Sequence, residues 1–266
     1  MTGHNLLLVG CGKMGGALLQ GVAAKATACV VDPAPPPQHL ISLPGMTWIS
    51  GPEKLDPGFK PDIVILAVKP QLMASVLPAY AKFRDSLFLS IAAGQTIAHL
   101  EALLGGANFV IIRAMPNLPA SIGAGMTVAV ANKNVSAAQR TLADTLLTAV
   151  GAVAWVENET WLDAVTALSG SGPAYVFALV EAMAQAGEAL GLPKALAMQL
   201  ARQTAIGSGT LLAQSKESVE ALRAAVTSPG GTTEAALKLL LAGDGLQDVM
   251  LKAIKAAAQR SEELSS

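Results

Sequence analysis

The 266 residues carry a formal net charge of -1, and half are hydrophobic, mostly Ala, Leu and Val with few aromatics. A chain so close to neutral offers no footprint for nucleic acid, and it is long enough to bury a real core in one large domain or two smaller ones. A membrane span is not expected either: the uncharged runs 33–52, 114–132 and 164–180 are each broken by prolines, polar residues or Ser169-Gly170-Ser171-Gly172-Pro173, and the opening turns into glycines after four apolar residues, unlike a signal peptide.

From Asn5 to about Ala131, short runs rich in Val, Ile and Leu alternate with helix-like or loop segments. The runs are NLLLVG, ACVVD, DIVILAV, SLFLSIA, NFVIIRAM and MTVAVA. Continuous apolar strands with helices between them predict a parallel sheet covered on both faces. The proline-rich stretch Pro33 to Gln38 is a loop, because proline fits neither a strand nor a helix interior. Residues 135–150 predict a helix, and AVAWV a last short strand. Beyond Trp161, apolar residues recur at three- and four-residue spacing in six segments punctuated by Gly and Pro. The expected organisation is an α/β domain over 1–160 followed by an all-helical bundle over 161–266, with Ser169 to Pro173 making the turn into a long helix and Tyr175 packed near that joint.

Gly10-Cys11-Gly12-Lys13-Met14-Gly15 matches G-x-G-x-x-G between a strand (Leu6 to Val9) and an amphipathic helix (Ala17 to Ala24). In a Rossmann-like unit the first glycine permits the tight turn and the second lets the backbone approach a pyrophosphate. The third allows close helix–strand packing, and the helix N-terminus faces the negative charge. Asp32 ends the next strand, 22 positions after Gly10. It has two readings: an acceptor for the adenine-ribose hydroxyls, which favours NADH over NADPH, or the start of the turn into Pro33. No Lys or Arg follows until Lys54, so NADH is the better fit, with NADPH still open. The rest of the cofactor wall is expected where strands end: Ala67, Val68, Lys69 and Pro70, then Ala92, Ala93 and Gly94. Lys69 reads equally well as a solvated charge.

Carbonyl reduction needs a general acid, yet His4, His39 and His99 lie outside every motif, and no metal-ligand or Ser-His-Asp set is present. A C=N substrate relaxes that need, since it can arrive protonated and be neutralised by hydride. Cys11 and Cys29 read as small buried hydrophobes of a reduced, cytoplasmic protein.

The segments GCGKMGGAL, ILAVKP, SIAAG, RAMPNLPA, ALSGSGPAYVFALVEAM and VTSPGGTTEAAL, in that order, are similar to those of the pyrroline-5-carboxylate reductase family, nearly end to end. The resemblance implies reduction of the C=N bond of 1-pyrroline-5-carboxylate to L-proline by NAD(P)H. It also implies a homodimer through the helical domain, with a higher oligomer possible and each site completed across the interface. The substrate carboxylate would be held by Ser228, Gly230, Gly231, Thr232 and Thr233 at a helix start, with the Thr233 hydroxyl on the ring nitrogen and Glu217 nearby. From the residues alone, Gly230 to Thr233 also read as a plain N-cap. Leu118 departs from the family, where Thr often follows the asparagine, and Glu217 is the acid nearest the place where relatives carry one. Two other readings are a 3-hydroxy-acid dehydrogenase, whose catalytic lysine is replaced here by Val176, and a nucleotide-sensing helical dimer without turnover.

Overall fold

The structure is a computed structural model that describes residues 3–22 and 26–265. Leu6 to Val9 form most of β1 (Asn5–Val9), and the run is apolar throughout because both faces of the strand are covered. Leu6 and Leu8 enter one buried cluster, Leu7 and Val9 the other. β2 (Thr27–Val31), β4 (Ile63–Leu66) and β5 (Leu87–Ser90) behave alike, with every residue buried in the last two.

With β3 (Met46–Ile49), β6 (Val110–Met115), β7 (Gly125–Ala131) and β8 (Gly151–Trp155), they build one eight-stranded sheet in the order β3-β2-β1-β4-β5-β6-β7-β8. β3 corresponds to none of the expected apolar runs. Its four residues, MTWI, are only partly buried at the sheet edge, so their apolar signal is weak. The expectation of a parallel sheet needs one correction, because β7 runs antiparallel to β6. Only residues 116–124 join the two strands, and a parallel crossover needs a dozen or more. β7 and β8 pair in parallel across α4 (Ala137–Thr148), which a Ser136–Gln139 capping box starts. They meet at Gly125 and Gly151; Gly151 has φ +145°, and a Cβ there would run into the Gly125 backbone.

α1 spans Lys13–Val22, beginning four residues before the expected Ala17 start; Ala23 and Ala24, at the expected end, lie outside the described residues. The remaining helices beside the sheet are α2 (Met73–Val76), α3 (Ile97–Leu104) and α5 (Trp161–Val165).

The chain divides into two compact units, one running through Gly170 and regaining the chain from Ala258 onward, the other Ser171–Ala257. By its contacts the first unit extends ten residues past the expected boundary at 160, and only the end of the last helix, from Ala258, returns to it. α5 stays with the sheet because Leu162 is fully buried in a cluster with Val128 and Val130. Ser169 to Pro173 is also not a turn. Thr166–Gly170 forms one π-helical turn, and α6 (Gly172–Ala189) follows at once. Pro173 is tolerated because a first-turn N–H has no intrahelical partner to lose. Tyr175, half-buried, stands in the first turn of α6.

In the second unit, α6 packs on α7 (Lys194–Gln214) through small residues: a Cβ added to Gly187 would lie 3.1 Å from that of Ala197. α8 (Val219–Ala225), α9 (Thr232–Leu240) and most of α10 (Leu246–Ser265) complete it. Large apolar side chains remain exposed here, among them Phe177, Leu200, Leu211, Leu239 and Val249. The end of α10 is tied within the first unit, where Ser261 donates to Asp163 Oδ1 at 2.6 Å. Among the described residues no helix is long and apolar enough to cross a membrane.

Candidate functional site

Gly10 leaves β1 with φ +85°, a turn that a side chain would block, since its Cβ would meet Val68 at 2.9 Å. Gly12 accepts the first α1 hydrogen bond, from the Gly16 N–H at 2.9 Å, and an added Cβ there meets nothing within 4 Å. Gly15 is the opposite case: its Cβ would lie 2.7 Å from the Gly10 carbonyl oxygen and 3.1 Å from Ala67 Cβ. The three glycines thus divide into one tight turn, one opening and one close helix–strand contact.

The opening faces a cavity of about 350 Å³, with Gly10, Gly12, Asp32, Ala67, Val68 and Lys69 in its walls. Lys13 and Met14 stand with Gly15 in the first turn of α1, and Pro70 starts a short 3-10 turn with Lys69 extended before it. Such a cradle fits a dinucleotide: the space beside Gly12 is open, and the start of α1 offers N–H donors and a positive dipole end that suit a phosphate. Ala92, Ala93 and Gly94 follow β5, two strands from β1, and are not among the walls of this cavity. Gly94 instead meets the end of α10, where a Cβ would lie 3.0 Å from the Leu264 carbonyl oxygen. Beside it, Gln95 Oε1 is buried without a hydrogen-bond partner.

Asp32 makes the turn that one of its two sequence readings expects, and it also lines the cavity. Its Oδ1 accepts the Ala34 N–H at 2.8 Å, which makes the turn into the proline loop. Its Oδ2 accepts the Cys11 N–H at 2.6 Å, which ties the glycine-rich loop to the end of β2 while the residue still lines the cavity. Burial, and secondarily the Asp32 charge, push the Cys11 thiol up to about 11; burial likewise raises Cys29. Both cysteines are free and buried.

Sequence reasoning missed part of the wall. Ser50, Gly51, Pro52 and Tyr80 also line the cavity. The first three follow β3, and recognising that strand would have found them by the same edge rule. It also missed a buried ion pair: Arg113, 4% exposed, donates to Glu159 Oε1 at 2.9 Å, and the same oxygen accepts the Ile97 N–H at 2.8 Å. That carboxylate joins Thr96, whose Oγ1 accepts the His99 N–H, in capping α3 directly after the 92–94 segment. Asn117, next to Leu118, is held on both sides: its Nδ2 donates to the Ser169 carbonyl at 3.0 Å, and its Oδ1 accepts the Met126 N–H at 2.8 Å.

In the second unit, Gly231 caps α9 without a side-chain hydrogen bond. The donors there differ from the expected set. Gly230 N–H already goes to Glu234 Oε2 at 2.6 Å, and Gly231 N–H to the Ser228 carbonyl at 3.0 Å. Among the described residues, the N–H groups of Thr232, Thr233 and Glu234 and the two threonine hydroxyls have no partner at the start of α9. Gly230, with φ +70°, and Ser228 shape the turn instead. Glu217 is exposed in the loop before α8, and its N–H bonds Ser215 Oγ at 3.0 Å. Val176, at the lysine position of a 3-hydroxy-acid dehydrogenase, supplies no base.

A family model described as pyrroline-5-carboxylate reductase dimerisation matches residues 159–264, and one described as NADP oxidoreductase, coenzyme F420-dependent, matches residues 5–94. The chain is 40% identical to the pyrroline-5-carboxylate reductase of Pseudomonas aeruginosa, over 100% of its own length and 98% of the relative's. The solved pyrroline-5-carboxylate reductase from Coxiella burnetii superposes with a TM-score of 0.90 at 36% identity, covering 99% of each chain. The Plasmodium falciparum pyrroline carboxylate reductase, solved with NADP bound, gives 0.84 at 29% identity over 100% of both chains.

Proposed function

We infer the reaction from family membership: this chain belongs to the pyrroline-5-carboxylate reductase family. It is an NAD(P)H-dependent oxidoreductase that reduces the C=N bond of 1-pyrroline-5-carboxylate to L-proline, the last step of proline biosynthesis. The full-length match carries this reading. When bound, the reduced nicotinamide supplies the hydride.

The protein's own part is placement. Gly10, Gly12 and Gly15, with Lys13 and Met14, receive the pyrophosphate at the start of α1. Ala67 to Pro70 bound the same cradle, and Ala92 to Gly94 end the neighbouring strand edge. Asp32 stands at the ribose end and tilts the choice toward NADH. The open N–H groups and hydroxyls of Thr232 and Thr233 hold the substrate carboxylate. The Thr233 hydroxyl accepts the proton of the ring nitrogen in a hydrogen bond, which orients a C=N that already bears its charge. No acid has to be supplied to such a substrate. Ser228, Gly230 and Gly231 set the turn, and Glu217 remains a candidate contact from the loop before α8.

The exposed apolar faces of α6, α7, α9 and α10 support pairing of two copies through the helical unit, and larger assemblies of such pairs are compatible with it. Two free, buried thiols suit a reducing compartment such as the cytoplasm. Steady-state turnover of 1-pyrroline-5-carboxylate with each cofactor tests the reading. Brisk ketone reduction without imine turnover would overturn it, and cofactor binding without any turnover would leave only a nucleotide sensor.

A further inference from the structure

The adenosine end of the dinucleotide cavity is built from two strand ends that are far apart in sequence. β2 and β3 pair in parallel, and the Asp32 N–H donates to the Ile49 carbonyl at 3.0 Å. Ser50, the next residue, thereby reaches the same cavity as Asp32 and Pro33. Lys54 lies one short turn further on, and its Nζ donates to Ser50 Oγ at 2.7 Å. Residues 26–53 contain no Lys or Arg. The fold therefore ties to a wall residue of the cavity a cation that the sequence sets 22 positions from Asp32.

The carboxylate opposing it is fixed. Swinging Asp32 aside would break hydrogen bonds to two backbone N–H groups, those of Cys11 and Ala34. Glu53 adds a second negative charge, its carboxylate folded over Gly51, where an added Cβ would strike it. NADH meets no penalty from these acids, since hydroxyls can donate to them. NADPH brings a doubly charged phosphate to the same place, and like charge without compensation would exclude it. Ser50 and Lys54 are what the wall offers in compensation: a hydroxyl that can donate, and a flexible ammonium that can leave it for a phosphate oxygen.

We propose that Lys54, parked on Ser50, is the residue through which this chain accepts the 2'-phosphate of NADPH, in opposition to the locked carboxylate of Asp32. Cofactor choice is then a contest between two side chains on adjacent strand ends. The proposal rests on reading the cavity as the dinucleotide site, and not on the identity of the imine.

The test is equilibrium binding of NADH and NADPH, followed by cofactor fluorescence without substrate, for the full-length protein and for K54M, D32N and the double variant. K54M lowers the NADPH-to-NADH affinity ratio about tenfold, as expected for one lost charge-assisted contact at a solvent-exposed edge. D32N raises that ratio, and adding K54M to D32N lowers it again by a similar factor. Added salt weakens NADPH binding more steeply with Lys54 present than without it. A ratio within twofold of the parent in both backgrounds would overturn the role of Lys54 and leave the cavity assignment standing. Failure of the unaltered protein to bind either dinucleotide would overturn both.

Discussion

Gly12→Val separates the cradle from the fold around it. A Cβ at Gly12 meets nothing within 4 Å, so the valine side chain is expected to enter the cavity with little displacement of protein atoms. The local cost is that of a poor residue at the helix cap, since the Gly12 carbonyl takes the first α1 hydrogen bond; about 1 kcal/mol is expected. In a chain of this size that lowers the melting temperature by roughly 2–4 °C. The functional cost is much larger, because the same side chain fills the approach of the pyrophosphate to the backbone. Loss of at least about 100-fold in NADH affinity, some 2.7 kcal/mol, is expected. Gly15→Ala is the contrasting case. Its Cβ would sit 2.7 Å from the Gly10 carbonyl, so stability falls by roughly 1–3 kcal/mol and binding follows only as the loop shifts. Calorimetric titration with NADH and a thermal melt of each variant distinguish the two mechanisms. If Gly12→Val keeps NADH affinity within threefold, the pyrophosphate does not pass over Gly12. If it melts more than about 8 °C low, the loss reports misfolding and the steric argument is wrong.

Four further outcomes follow from the geometry. Thr233→Ala raises the apparent substrate constant or lowers turnover about tenfold while NADH affinity is retained; unchanged kinetics would remove the hydroxyl from the site. Glu234→Gln takes a negative charge from the Gly230 N–H beside the substrate's carboxylate, so the substrate constant falls severalfold at a stability cost of about 0.3–1 kcal/mol, measured by steady-state rates and a urea titration. Glu159→Gln leaves Arg113 buried without its counter-charge and destabilises the first unit by on the order of 3 kcal/mol, whereas a urea midpoint equal to the parent's would show that the pair contributes nothing. Cys11 has its pKa raised in the folded chain, so its contribution to stability is complete below about pH 9 and is lost as the pH rises toward about 11; melting temperatures should fall across that window, and less so in Cys11→Ala.

Much of this protein is written in short-range pattern. The unbroken apolar run of β1 requires cover on both faces, the spacing of Gly10, Gly12 and Gly15 requires a tight turn, an opening and a close contact, and six amphipathic segments after Trp161 require a helical unit. Each is a local steric or solvation demand that any fold of the chain must meet. What the tertiary structure decided was which distant groups meet. The antiparallel β7 depends on a linker too short for a crossover, and the division at Gly170 on Leu162 finding a pocket under β7. Glu234, four residues beyond Gly230, takes a donor that the motif alone had offered to a ligand. Lys54 gains its meaning only because β2 and β3 pair, which brings Ser50 beside Asp32. Pairing of this kind depends on the register of strands separated by a loop, and no local pattern within the proline-rich segment encodes it.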